Sequence, residues 1–176
     1  GAPIENGSTD GQNDIVSGEA QQLTYSLTNA GTSELALLGM PRVSVSGATN
    51  VDASVSMMPA TASIAVGASE SFVIDYSVPV DGAFSFDVTI ESNDLDEGST
   101  TFTVSGNGFT PAPEIEVARE GMAIASGATE DAGASVPGIE QSWTYTISNA
   151  GNADLVLSGP VAFDSPNNVN ASVSSQ

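Results

Sequence analysis

The chain has 176 residues, of which 22 are Asp or Glu and two, Arg42 and Arg119, are basic, giving a formal net charge of −20. A surface so acidic repels a nucleic-acid phosphate backbone and an anionic membrane, since both are held through clustered Lys and Arg. Cys and His are absent, which removes disulfides, thiolate metal sites and the imidazole base of nucleophilic catalysis.

The first nineteen residues read as an acidic, Gly-rich loop carrying Asp10, Asp14 and Glu19. Leu23, Tyr25 and Leu27 then alternate with Thr24, Ser26 and Thr28, the period of a half-buried strand. Asn29-Ala30-Gly31 is a turn, because Asn and Gly tolerate positive φ. Leu35, Leu37 and Leu38 are expected to form a short buried run. Alternation continues at Val43/Val45 and at Val51/Ala53/Val55, followed by Ile64 and Val66 before a turn at Gly67. Phe72/Ile74/Tyr76 and Phe84/Phe86/Val88/Ile90 form the apolar faces of two longer strands, separated by the turn Pro79-Val80-Asp81-Gly82. Asn93 to Gly98 is a loop, and Phe102 and Val104 lie on the next strand. Gly106-Asn107-Gly108 and Pro111-Ala112-Pro113 read as a short, stiff linker. Turn signals every ten residues or so, with no helical window, predict an all-β chain of immunoglobulin-like β-sandwich type with roughly seven to nine strands.

The chain also repeats itself. Gln21-Gln22-Leu23-Thr24-Tyr25-Ser26-Leu27-Thr28-Asn29-Ala30-Gly31 matches Gln141-Ser142-Trp143-Thr144-Tyr145-Thr146-Ile147-Ser148-Asn149-Ala150-Gly151 at an offset of 120 residues. The same offset links Gly1/Gly121, Ile4/Ile124, Gly7/Gly127, Val16/Val136, Gly18/Gly138, Leu35/Leu155 and Gly39/Gly159. After a two-residue slip, Val51-Asp52-Ala53-Ser54-Val55-Ser56 matches Val169-Asn170-Ala171-Ser172-Val173-Ser174. The expected organisation is a tandem repeat: residues 1–108 form one repeat lacking its first strand, and residues 109–176 form the N-terminal half of the next. The strand Glu114-Ile115-Glu116-Val117 has no counterpart at the start. The missing strands are expected either from a longer polypeptide or, by strand complementation, from another copy. Tyr25 and Tyr145 are expected at equivalent, mostly buried positions, as are Leu27 and Ile147.

Pro113 to Val117, the Gly-rich acidic stretch after it, and Trp143 to Leu155 resemble the bacterial choice-of-anchor D repeat, within the ASPM/SPD-2/Hydin group of immunoglobulin-like domains. Ala65 to Ser69 ahead of Phe72, Asn93 to Glu97, and Phe102 to Gly108 are similar to the same pattern in order and spacing. The resemblance implies an extracellular, multi-repeat bacterial surface protein without catalytic activity, and it brings no catalytic residues with it.

The best candidate for chemistry is Asn93-Asp94-Leu95-Asp96-Glu97-Gly98. Calcium takes about six to eight oxygen ligands, and Asn93, Asp94, Asp96 and Glu97 could supply several, although the same residues suit a solvated hairpin turn. A second acidic group is Asp10, Asp14 and Glu19, with Glu130, Asp131 and Glu140 in the next repeat. These loops and the net charge predict stabilisation by divalent cations. Trp143, with Tyr145, could stack on a sugar, but it stands where Leu23 stands in the first repeat and is expected in the core. The function expected is therefore a non-catalytic structural repeat of the cell surface (a stalk, spacer or filament subunit). The alternatives are an adhesin or carbohydrate-binding module and an intracellular scaffold, the last disfavoured by the lack of basic patches. The expected partners are neighbouring copies of the repeat.

Overall fold

The computed structural model describes residues 3–131, 133–164 and 169–174. Gly1, whose match with Gly121 opens the repeat, lies outside them. The described residues contain strands and no helix, and none of them forms a helix long and apolar enough to cross a membrane. The chain divides into two compact units, Gly1–Thr110 and Pro111–Gln176.

The first unit contains, in order, β1 (Thr9–Gly11), β2 (Ile15–Val16), β3 (Ala20–Thr28), β4 (Leu35–Ala36), β5 (Val43–Thr49), β6 (Asp52–Met57), β7 (Ser63–Ile64), β8 (Ser69–Ser77), β9 (Gly82–Glu91) and β10 (Ser99–Phe109). One sheet runs β1-β10-β9-β5, with β2 also on β10; a second runs β3-β8-β6; β4 and β7 make a two-stranded ribbon. The pleat sends alternate residues to opposite faces. In β9 this buries Phe84, Phe86, Val88 and Ile90 while the residues between them stay half-buried. Phe72, Ile74 and Tyr76 of β8, the buried residues of β9, and Phe102 and Val104 of β10 belong to one apolar cluster drawn from both sheets. Rings bridge the sheets: Tyr76 lies 5.7 Å from Phe84 and 5.8 Å from Phe86, and Tyr25 lies 5.2 Å from Phe102. Separations of this size are typical of favourable aromatic pairs.

Three features of this unit differ from the sequence expectations. The acidic N-terminal loop contains β1 and β2, which lie parallel to β10 in the registers Thr9↔Thr103 and Ile15↔Gly108. They occupy what would otherwise be an open edge of β10, a position that sheets tend to cover. Gly106 and Gly108 are not linker residues but lie within β10, opposite Phe84 and Gly82. A Cβ on Gly106 would stand 2.7 Å from the Phe84 ring, and one on Gly108 would stand 2.6 Å from Val78 Cγ1, so close packing demands glycine at both. Leu37 is buried but Leu38 is exposed, because β4 ends at Ala36 and only Leu37 goes on to bridge Ser92.

The second unit contains β11 (Ile115–Arg119), β12 (Met122–Ala123) and β13 (Tyr145–Asn149), in the order β12-β11-β13. The apolar side chains of β13 are not buried: Tyr145 is 46% and Ile147 is 37% exposed, and Trp143, just before the strand, is 42% exposed. The expected core placement of Trp143 and Tyr145 is thus corrected. Tyr25 is covered by Phe72 of β8 and Phe102 of β10, at 5.1 and 5.2 Å between ring centroids. No counterpart of β8 or β10 stands among the described residues of the second unit.

Candidate functional site

The loop after β9 is organised by its own hydrogen bonds. Asn93 faces back onto the chain around β4: its Oδ1 accepts from Ala36 N at 2.7 Å and its Nδ2 donates to Glu34 O at 3.3 Å. Asp94 N donates to Ser92 Oγ at 3.1 Å, and Asp94 Oδ1 accepts from Asp96 N at 3.3 Å. The Asp94 carboxyl is held below its ordinary range by hydrogen bonding from Asp96, first from its side chain and then from its backbone N–H. A carboxylate that accepts from the backbone two residues on is an Asx turn. Asn93 is therefore already engaged, which leaves Asp94, Asp96 and Glu97 as the exposed oxygens of the loop. Among the described residues no three acidic side chains converge closely enough to hold a metal ion.

The second acidic group is divided between the two units. Asp14, Glu19 and Glu140 are exposed, and Asp131 Oδ1 accepts from Gly133 N at 2.8 Å. A thermal melt tests both groups. Calcium chloride and sodium chloride at matched ionic strength are expected to raise the midpoint equally, because either salt screens the net charge of −20. An extra rise with calcium that a chelator reverses would establish a specific site.

The remaining acids of that group, Asp10 and Glu130, do something different. Tyr25 Oη donates to Asp10 Oδ2 at 2.7 Å, and 120 residues later Tyr145 Oη donates to Glu130 Oε2 at 2.8 Å. Burial, and then the bond to Asp10, push the Tyr25 hydroxyl well above the ordinary tyrosine range. For Tyr145 the bond to Glu130 is the main upward cause, while Arg119 acts the other way. Other local geometries recur with the same spacing. Asn29 Nδ2 donates to Ser33 O at 2.8 Å, and Asn149 Nδ2 to Ala153 O at 2.7 Å. Gly31 N and Gly151 N each donate to the Oδ1 of the Asn two residues earlier, at 3.0 Å in both cases. Gly7 and Gly127 share a φ of 77°, and Gly18 and Gly138 have 83° and 81°. The pairing of Tyr with an acid fifteen residues upstream was missed in the sequence. It was findable there, because the 120-residue offset carries an acid at Asp10/Glu130 as well as the Tyr at Tyr25/Tyr145.

Some serine and threonine hydroxyls do meet carboxylates, and two of them converge on Asp81. Ser17 Oγ donates to Asp81 Oδ1 at 2.6 Å and Thr110 Oγ1 donates to the same atom at 2.8 Å. These bonds hold the Asp81 carboxyl below its ordinary range, which makes it a weaker base; its role here is to tie the end of β2 to the residue after β10. A shallow hollow lined by Gly39, Met40, Pro41, Arg42 and Met58 contains one cation and no carboxylate.

No family model matches the chain, and no curated protein matches it. Among solved structures it is similar to the secreted serine protease VesC from Vibrio cholerae, at 17% identity and a TM-score of 0.50, over 58% of this chain and 22% of that one. It is also similar to a protein of unknown function from Porphyromonas gingivalis W83 (16% identity, TM-score 0.44, 60% of this chain and 50% of that one). A third is the human CEP192 ASH / PapD-like domain (17% identity, TM-score 0.41, 60% and 84%). The chain spans about a fifth of VesC and half of the Porphyromonas protein. At these identities the likeness is one of fold alone.

Proposed function

We propose that the chain is a segment of tandem immunoglobulin-like β-sandwiches, serving as a non-catalytic structural repeat (stalk, spacer or filament subunit) of an extracellular bacterial surface protein. The observation that carries this reading is the tyrosine–carboxylate bond recurring 120 residues apart, at Tyr25–Asp10 and Tyr145–Glu130. Two copies of a sequence motif that also build the same local geometry are what a repeat architecture requires. The apolar cluster shared by two sheets supports the sandwich. The acidity supports an exposed, solvated role, and the similarity to a secreted bacterial protein is in keeping with the location.

A second reading, a carbohydrate-binding or adhesive module, is favoured by one observation: Trp143 and Tyr145 are exposed on neighbouring positions. Protease treatment of intact cells that make the protein tests the first reading. Peptides from this chain are expected in the released fraction, with no change in Trp143 fluorescence when glycans are titrated into the purified chain. Recovery of the chain solely from the cytosol would sink the structural reading, and a saturable glycan-dependent change at Trp143 would favour the second.

A further inference from the structure

The hollow beside the start of β5 has a fixed frame. Its volume is about 410 Å³ and its walls are Gly39, Met40, Pro41, Arg42 and Met58. Met58 packs against the apolar cluster. Arg42 is held by Pro59, whose side chain is fully buried and whose carbonyl accepts from Nη1 at 2.8 Å. Gly39 is required by the tight turn at the rim, since a Cβ there would stand 2.7 Å from Pro41 O. Met40 is almost wholly exposed, and Leu38 beside it is largely so. Met and Arg are both enriched where proteins meet, Met because its flexible thioether chain adapts to what it touches.

Arg42 is the only basic side chain of the first unit. One of its N–H groups is taken by Pro59 O, and among the described residues it makes no ion pair. Glu91 lines an adjoining hollow with Ser44 and Thr89. A guanidinium without a carboxylate, on a chain of net charge −20, selects for an acid, and the apolar walls select for an aliphatic side chain next to it. At the 120-residue offset Met40 meets Pro160 and Arg42 meets Ala162. The cation and its thioether neighbour are therefore particular to the first unit and not part of the recurring frame.

The chain carries a segment of the matching chemistry. Leu95 is fully exposed in the loop after β9, between Asp94 and Asp96. The loop is already shaped by the bonds of Asn93 to Ala36 and Glu34 and by Asp96 N on Asp94 Oδ1, so little freedom is lost when Leu95 is bound. Hollow and loop lie at the same end of the first unit, because Leu38 N donates to Glu91 O and Asn93 N to Ala36 O.

We propose that this hollow docks the loop of a second copy of the chain, with Leu95 entering between Met40 and Met58 and the carboxylates of Asp94 and Asp96 closing on Arg42. Both parts sit at one end, so a two-fold axis lets each copy fill the other's hollow, a closed and self-complementary contact. Repulsion between two acidic chains is screened at physiological ionic strength, where the Debye length is about 8 Å, whereas the contact at Arg42 is a short-range one. The pairing goes beyond the structural reading and does not rest on the 120-residue register.

Sedimentation velocity of the full chain in about 0.15 M sodium chloride, over a range of concentrations, tests it. The mass is expected to rise from monomer towards dimer and no further. Leu95→Ala is expected to weaken association about tenfold or more, with the circular dichroism of the wild type. Arg42→Glu and Asp96→Arg are each expected to be monomeric alone and to pair when mixed, since both contacts of the mixed dimer then join opposite charges. Pairing in the mixture also shows that both variants are folded. A chain that is monomeric at every concentration overturns the proposal, as does an association that Leu95→Ala leaves unchanged or a mixture that does not pair. A peptide of residues 91–99 that shifts the methyl resonances of Met40 and Met58 in a chain that stays monomeric overturns the second copy as the occupant, and assigns the hollow to an acidic, leucine-bearing segment of another protein. None of these outcomes alters what protease treatment of intact cells reports.

Discussion

Phe86→Ala is expected to destabilise the first unit by about 3–5 kcal/mol, the range for truncating a buried aromatic side chain. Phe86 is fully buried in the middle of β9. It pairs with Val104 across the strand and reaches Tyr76 of the facing sheet, 5.8 Å between centroids. The antiparallel ladder to β10 runs unbroken through Phe86, and β5 pairs with β9 on either side of a bulge opposite it, so the surroundings collapse only partly into the space and a cavity remains. Leu95→Ala is the control: Leu95 is fully exposed in the loop after β9, and its truncation should change stability by less than about 0.5 kcal/mol. Denaturant unfolding followed by far-ultraviolet circular dichroism measures both. A Phe86→Ala loss below about 1 kcal/mol would mean that β9 is not the centre of the core.

The second large effect is expected at Asn29, the buried polar residue at the end of β3, which is 4% exposed. Its Nδ2 donates to Ser33 O and Ile64 O, each at 2.8 Å, and its Oδ1 accepts from Gly31 N at 3.0 Å. Asn29→Ala leaves these backbone groups without that partner, at a cost of about 1–3 kcal/mol for each one that stays buried and unsatisfied. The total expected is about 2–4 kcal/mol. Asn29→Asp is expected to be worse near neutral pH, because a carboxylate would face two carbonyl oxygens. Protonation restores a donor, so the folded-state pKa of Asp at 29 lies above its unfolded value. Its extra penalty is then absent below about pH 4 and grows as pH rises through the range between the two values. Melts of this variant and of wild type across pH 3–8 check it, the wild type removing the general effect of net charge. An Asn29→Asp deficit that does not change with pH would show that the side chain is hydrated rather than clamped.

Much of the first unit was legible because its strands bury one face. Phe72/Ile74/Tyr76, Phe84 to Ile90 and Phe102/Val104 announce themselves by period two and are the observed core. β1 was not legible: Thr-Asp-Gly has no apolar face, and it becomes a strand only because β10 offers it an edge. Gly106 and Gly108 were misread because glycine signals a turn and a close approach equally well, and only the positions of Phe84 and Val78 separate the two. Trp143 and Tyr145 were misread for a different reason. Alternation tells which face is apolar, not whether another strand covers it. As for sites, Asn93 to Glu97 cluster along the chain, but sequence adjacency says nothing of where side chains point, and Asn93 turns away. The pairing of Tyr25 with Asp10 follows no local motif, being fifteen residues apart, and emerges only when the matching stretches 120 residues apart are compared.

The parallel pairing of β1 and β2 with β10 bears on how the first unit carries tension. Thr9 begins β1 and Phe109 ends β10, and β1, β2 and β10 run in the same direction side by side. A pull applied between Thr9 and Phe109 therefore acts along the strands. The bonds Gly7 N to Thr101 O, Thr103 N to Ser8 O, Gln12 N to Ser105 O and Ser17 N to Phe109 O are loaded together in shear instead of opening one after another like a zip. Asp81 adds a cross-tie at the same end by gripping Ser17 and Thr110 at once. A unit wired in this way resists stretching along that axis more than its modest count of hydrogen bonds between β1, β2 and β10 suggests.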